Sequence, residues 1–393
     1  MAGTVVLDLV DGLGVYGPKL MVGLGAEVIR VEPPAGSVQR GFAPLYRAVG
    51  GEEGSASLYF LHYNSGKKGI TLDYTKAEGR EVLLRLLANV DVVFDNGQLD
   101  RLGLAPETLA SSSSVVVVSI TPFGLRSARS DWLGEDLICQ AMSGMIALYG
   151  YRDERPARFG PEQASEMSGL AAALGAVVAL YGARRDGKGE FVDIAMERVG
   201  CLVTLQMSNA SMYRQFGFRH LRDERSAGLP SILMQASDGF VQLRMWQNVS
   251  ATRQMLDEHG AGEGLADVRR DLKPAELAAD PRLRAAVQAF VAGHTRAELM
   301  EIVPLYGIDG LPVHDVEDLV RDLFLQARSF FAEVELPEAA RSFLDMGAVA
   351  RFSASPWRLA RRPPLLGEHS EEVLGRLGLD RTDIERLRAE GVV

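Results

Sequence analysis

Cysteine is scarce. The 393 residues contain two, Cys139 and Cys201, in neither a C-x-x-C nor a Cys/His pattern. That excludes a disulfide framework and a structural zinc site of the usual spacing, and it points to the reducing cytoplasm. Histidine is nearly as sparse: His62, His220, His259, His294, His314 and His369 stand singly, so no metal centre is predicted. Positive charge is in deficit. The 42 Lys and Arg against 52 Asp and Glu leave a net charge of −10, a poor match for nucleic acid or an anionic membrane. The N-terminus reaches Asp8 without the basic segment and apolar core of a signal peptide. A long uncharged stretch, Met167–Ala183, is rich in Gly and Ala. It falls short of the ~20 apolar residues of a membrane span and reads as a helix buried in protein. No G-x-S-x-G elbow occurs, which disfavours a serine hydrolase of that type. Asp11-Gly-Leu-Gly14 is only a fragment of a dinucleotide fingerprint, so a nicotinamide enzyme is not expected.

What is present is an ordinary globular composition, 47% apolar and 24% charged, over a length that suits two domains or slightly more. The first half alternates apolar β runs with helical patterns. The runs are Thr4–Leu9, Glu27–Glu32, Gly69–Asp73, Asp91–Asp95, Val115–Ile120 and Glu190–Ala195. Val115 to Val118 is apolar on both faces, as a central parallel strand is. In Glu78–Asn89, Val82, Leu83, Leu86 and Leu87 form one helical stripe. These features predict an α/β fold with a Rossmann-like large domain. Further on, Ser237-Asp-Gly239 joins Ser231–Ala236 to Phe240–Met245 as a β-hairpin. Helices are expected at Ala251–His259, Leu283–Ala292 and Arg296–Leu305, the last capped by Thr295. Two more β runs, Ala332–Leu336 and Ala348–Phe352, precede a tail with helices near 370–377 and 382–390. The expected division is a large domain at 1–204, a smaller α/β domain at 205–325, and a segment at 326–393 returning to the large domain.

Two stretches carry chemistry. Asn64-Ser-Gly-Lys-Lys-Gly-Ile-Thr-Leu-Asp73 brings two adjacent lysines into a parallel strand, a loop able to hold a phosphate-bearing ligand at a sheet edge. Pro161-Glu-Gln-Ala-Ser-Glu-Met-Ser-Gly169 opens the Ala-rich helix. Ser165 is expected as its N-cap and Glu166 in the first turn, where the helix dipole favours a carboxylate.

Taken in order, these stretches resemble the family III CoA-transferases, the group of formyl-CoA and carnitine CoA-transferases and α-methylacyl-CoA racemases. The resemblance runs through Leu24-Gly-Ala-Glu-Val-Ile-Arg-Val-Glu-Pro-Pro34, Asn64 to Asp73 and Leu99-Asp-Arg-Leu-Gly-Leu104. It continues through Ile120-Thr-Pro-Phe-Gly124, Glu135-Asp-Leu-Ile-Cys-Gln-Ala-Met-Ser-Gly144 and Gly187-Lys-Gly-Glu-Phe-Val-Asp-Ile-Ala-Met196. It closes on Pro363-Pro-Leu-Leu-Gly-Glu-His369. It implies an interlocked dimer and coenzyme A as substrate and acyl carrier, without a metal. The matching positions for CoA contact are Arg30, Asn64, Lys67, Lys68, Asn96 and Arg101.

In the transferases an aspartate attacks the acyl-CoA thioester, forming a mixed anhydride and then an enzyme-bound CoA thioester. The position that matches this aspartate is Ser165, flanked by Ala164 and Glu166. The racemase histidine is matched by Glu135, ahead of Asp136. The resemblance therefore implies movement of CoA between an acyl-CoA and a carboxylic acid, with Glu166, Asp136 or Glu135 as the carboxylate. Two alternatives stand beside it. One is a CoA-binding, non-catalytic subunit paired with an aspartate-bearing homologue. The other is a racemase or dehydratase using a carboxylate base. The partners follow: acyl-CoA and acid, a homodimer or heteromer, and neither nucleic acid nor membrane.

Overall fold

The computed structural model describes all residues except 48–54, 152, 206–208, 218–221, 223–232, 246–247, 267–279, 337–340 and 360. His220 and the start of the run at Ser231 lie outside the described residues. The chain forms two compact units. One comprises Met1–Tyr149, Ala157–His220 and Ala327–Val393; the other comprises Gly150–Pro156 and Leu221–Gln326. The sequence reading opened the small domain at 205. Here the helix Asn209–Phe216 belongs to the large unit.

The large unit is organised by six parallel strands: β1 Val5–Asp8, β2 Glu27–Glu32, β3 Lys68–Thr71, β4 Val92–Asp95, β5 Val116–Thr121 and β6 Phe191–Ala195. Their spatial order is β3-β2-β1-β4-β5-β6. Side chains alternate across the sheet, so each strand feeds two cores. Val6, Val28, Phe94, Val116, Val118 and Ile120 face one. Leu7, Ile29, Ile70, Val93 and Val117 face the other. Both faces are covered, which is why β5 is buried along its full length.

The chain returns after the small unit. Helices Ser370–Gly375 and Arg381–Ala389 bring Val373, Leu374, Ile384 and Leu387 into the second core. His369 N donates to Gly69 O at 2.8 Å, and Asp73 N to Val392 O at 2.7 Å, tying the tail to β3. Before it lies an antiparallel hairpin, Phe331–Leu336 with Arg341–Met346. The strand expected at Ala348–Phe352 is thus misplaced. The partner strand ends at Met346, and Phe352 is 53% exposed with no ladder to join.

The small unit holds the expected hairpin, Leu233–Ala236 with Gly239–Leu243, and Gly310–Pro312 pairs with the second strand. Its helices among the described residues include Val249–Glu258, Pro281–Ala292, Arg296–Ile302 and Val316–Arg321. Thr295 caps Arg296–Ile302 reciprocally with Glu298. That helix stops short of Leu305 and tightens into a 3₁₀ turn containing Pro304, because proline cannot supply the amide a helix interior needs.

Two further corrections concern the helix Gln163–Asp186. It is not buried all round. Ala172, Ala176, Leu180 and Ala183 face the core, while Leu170, Leu174, Val178 and Tyr181 are exposed by 54–72%. Nor is Ser165 its N-cap. The cap residue is Glu162, in left-handed conformation at φ 61°, and Ser165 sits inside the first turn. Its amide is satisfied from a different helix, as described next.

Candidate active site

The strand order reverses between β1 and β4. A crevice at that switch point is where open α/β sheets bind ligands. The loop after β1, Leu9 to Gly14, is fixed largely by Asn96, the residue that follows β4. Asn96 Oδ1 accepts from Asp11 N at 2.8 Å. Its Nδ2 donates to Leu13 O at 3.1 Å and to Ile120 O at 2.8 Å. The amide expected to touch CoA is therefore spent on the scaffold.

Beneath the loop lies a buried charge network. Lys67 Nζ donates to Asp8 Oδ2 at 2.8 Å and to Asn64 Oδ1 at 3.1 Å. Arg30 lies 3.5 Å from Asp8 and donates to Val10 O, to Asp11 Oδ1 at 3.2 Å and to Ser37 Oγ at 3.1 Å. Asn64 Nδ2 donates to Phe60 O at 3.1 Å. Arg30, Asn64, Lys67 and Asp8 are each 1% exposed. Burial pulls the Lys67 ammonium down to about 8, with Asp8 opposing the shift. The structure thus brings Arg30, Asn64 and Lys67 together as a support for the β1 loop. Lys68 diverges from them: its Nζ turns to Glu27, at the start of β2, at 3.2 Å and to Glu372 at 2.6 Å. Arg101 stands apart as an exposed cation at the rim, on the short helix after Gly97, donating to Asn96 O at 3.3 Å.

Opposite the loop stands the start of the helix Gln163–Asp186. The helix Tyr16–Gly23 crosses it backbone against backbone. A Cβ at Gly169 would lie 2.8 Å from Gly17 N, and one at Gly17 would lie 3.0 Å from Gly169 O. This close approach requires glycine on both helices and brings position 165 against the β1 loop. Gly14 N donates to Ser165 Oγ at 2.8 Å. Ser165 N donates to Asp136 Oδ1 at 2.8 Å, and Asp136 Oδ2 accepts from Gln140 Nε2 at 2.5 Å. Asp136 is therefore the side chain that caps this helix end.

Glu166 is half-buried and accepts a hydrogen bond from the Tyr63 hydroxyl. Burial raises its carboxyl above the usual range and Asp136 adds to this, against the Tyr63 bond and the charge of His62. Burial also raises Glu162, with Glu166 contributing. Tyr63 and Tyr59 are pushed up, first by burial and then by the Glu166 and Glu162 charges respectively. Glu135 is exposed at the head of the helix Asp136–Met142 and caps nothing with its side chain. Of the three candidate carboxylates, the fold gathers Glu166 and Asp136 around Ser165 and leaves Glu135 outside. Among the described residues no group of His, Cys, Asp and Glu has the arrangement of a metal site.

Sequence reasoning missed Tyr59, His62 and Tyr63. They share one face of the helix Leu58–Asn64, and their i, i+3, i+4 spacing was the available signal. It also missed Lys19 and Asp345. Lys19 donates to Asp345 and to His62 O at 2.7 Å, and His62 Nδ1 lies 2.6 Å from Asp345 Oδ1. No local pattern announces a pairing across most of the chain.

A doubly covered parallel sheet, a topological switch point and carboxylates at a helix start define an α/β fold of the class that binds ligands at the carboxyl ends of its strands. Within that class the chain belongs to CoA-transferase family III, whose family model matches residues 1–370. It is 30% identical to the succinyl-CoA:(R)-benzylsuccinate CoA-transferase subunit BbsE of Thauera aromatica, over 99% of this chain and 97% of that protein. It is 28% identical to the succinyl-CoA–D-citramalate CoA-transferase of Chloroflexus aurantiacus, over 97% and 94% of the two chains. The crystal structure of a CAIB/BAIF family protein from Brucella suis superposes with a TM-score of 0.83 at 27% identity, covering 96% of this chain and 98% of that one.

Proposed function

We propose that this chain is the acyl-CoA-binding subunit of a CoA-transferase whose nucleophilic carboxylate is carried by a second chain of the same fold. One observation carries the reading. At Ser165, which the resemblance matches to the nucleophilic aspartate, the hydroxyl accepts the Gly14 amide, and the carboxylates beside it are engaged by Tyr63, Gln140 and the Ser165 amide. The likeness to a relative named as a subunit supports it. The test is an assay of the chain alone, and then with an aspartate-bearing homologue, for CoA transfer from an acyl-CoA to a carboxylic acid. Activity that appears only with the homologue sustains the reading. Brisk transfer by the chain alone, lost in Glu166→Gln, transfers the nucleophile's role to Glu166.

For CoA itself, Arg101 is the rim cation free to meet a phosphate. Arg101→Ala should weaken CoA binding severalfold in calorimetry, and the loss should shrink as salt rises, because exposed charge is screened. Lys68→Ala should leave affinity unchanged, its ammonium being held by Glu27 and Glu372.

The partner chain has a candidate seat. Leu170, Leu174, Val178 and Tyr181 make an exposed apolar stripe on the helix that begins at the site. Such a stripe marks an interaction surface. Leu174→Glu with Val178→Glu should separate the proposed pair of chains, or leave insoluble protein, in sedimentation. A pair that stays associated would place the interface elsewhere.

A further inference from the structure

We propose that His62, backed by Asp345 and Lys19, is a positioning residue of this site: it fixes the Tyr63 ring beside Glu166 and presents positive charge to the Glu166 carboxylate. The proposal rests on the reading of Ser165 and Glu166 as the acyl-CoA site.

The geometry runs as an unbroken chain of contacts from the returning segment to the helix start. Asp345 lies on the strand Arg341–Met346 and is 1% exposed. It accepts from Lys19, also 1% exposed, and pairs with His62 Nδ1 at 2.6 Å. Lys19 also holds the His62 carbonyl at 2.7 Å. The imidazole is thereby pinned at both its backbone and its ring. A carboxylate on Nδ1 makes that nitrogen the N–H donor and sets the ring's orientation. The ring meets Tyr63 edge to face at 4.6 Å between centroids, and the Tyr63 hydroxyl donates to Glu166.

The charges around this point explain why a cation belongs there. The helix Gln163–Asp186 presents Glu166, with Glu162 just before it, and the helix Asp136–Met142 presents Asp136; these carboxylates act on one another. The helix Tyr16–Gly23 contributes Tyr16, whose hydroxyl is disfavoured from ionising first by burial and then by Glu166 and Asp345. The same helix contributes Lys19, which is held by Asp345. His62's own helix adds Tyr59 and Tyr63. Half-buried carboxylates so close together favour protonation of one of them. The charge of His62 acts in the opposite direction on Glu166. Without it, the Glu166 carboxyl would be pushed further above its usual range.

The test reads Glu166 directly and needs neither acyl-CoA nor a partner. Carbodiimide activates only the protonated carboxyl group. The pH midpoint of carbodiimide and glycinamide labelling at Glu166, followed by mass spectrometry on the intact folded protein, therefore reports its ionisation. His62→Gln should move that midpoint up by about one pH unit, a roughly tenfold rise in labelling at fixed pH. Asp345→Asn should move it the same way, and His62→Lys should restore the wild-type midpoint. If His62→Gln does not fold, carbethoxylation of wild-type His62 by diethyl pyrocarbonate removes the charge on the folded chain and should give the same shift. An unmoved midpoint after either treatment would leave His62 as packing only and overturn the proposal. CoA added to the wild type should protect Glu166 from labelling. Failure of that protection, with the His62 shift intact, would overturn the acyl-CoA reading and leave the positioning role standing.

Discussion

Ser165→Asp should give this chain, on its own, a CoA-transfer activity well above that of the wild type. The new carboxylate would stand in the first turn of the helix Gln163–Asp186, where the helix dipole favours the ionised form. It would meet the Gly14 amide, which already donates to the serine oxygen at 2.8 Å. Its own backbone position is fixed by Asp136, which accepts from the 165 amide. The carboxylate oxygen attacks the thioester carbonyl and releases the CoA thiolate, giving a mixed anhydride. The thiolate then attacks the enzyme carbonyl and releases the acyl group as its carboxylate. A rise of at least about a hundredfold over wild type is expected, a small part of the roughly millionfold that a nucleophile contributes in a fully formed site. Hydroxylamine should trap the activated carboxyl at position 165 as a hydroxamate, seen by mass spectrometry. The wild type should show no such adduct at Ser165. A variant that binds CoA normally yet neither turns over nor forms hydroxamate would show that position 165 does not face the thioester.

Asp8→Ala should cost roughly 3–5 kcal/mol of folding stability, the range for removing one partner of a buried ion pair. Asp8 lies between two buried cations, accepting from Lys67 at 2.8 Å and lying 3.5 Å from Arg30. It also accepts the Val10 amide at 3.0 Å. Its loss strands Lys67 with only the neutral Asn64 as partner, whereas Arg30 keeps Asp11. Removing the stranded charge as well, in Asp8→Ala with Lys67→Met, should recover much of the loss in urea denaturation. Equal costs for the single and double variants would mean that the pair is not coupled. The same network sets a pH dependence. Lys67 gives up its proton near pH 8 in the folded protein but only near pH 10.4 when unfolded. Between those values the unfolded chain binds more protons, so Lys67 makes stability rise with pH across that window. Its charge is a fixed cost below it. Lys67→Met should abolish that slope.

The sheet was legible because each of its strands carries its own evidence. Val116 to Val118 is apolar on consecutive positions, and only a strand covered on both faces needs that. The Thr295 cap was legible for the same reason: a threonine and a glutamate three residues on satisfy each other locally. The candidate site was legible in part. Glu166 and Asp136 were named from the sequence, and the fold sets them on either side of Ser165. The cap was assigned to the wrong side chain. Asp136 and Ser165 are far apart in the chain, and nothing near either residue reports the bond between them.

The basic residues show where such reading stops. Arg30, Lys67 and Lys68 look alike in one dimension, as cations near a strand. In the folded chain Arg30 and Lys67 disappear beneath the β1 loop, because Asp8 at the end of β1 pairs with Lys67 while Arg30 shares Asp8 and Asp11. Lys68 points elsewhere because neighbouring side chains on a strand alternate. His62 looked like one more isolated histidine until Asp345 arrived from the far end of the chain. The sequence by itself determined the parallel α/β sheet and the family, since each is written in short segments or in their order. Which charges are buried, which carboxylates meet and what His62 faces were decided only by the tertiary structure. Burial and charge pairing are properties of distance in space, and here the chain brings together groups that lie hundreds of residues apart.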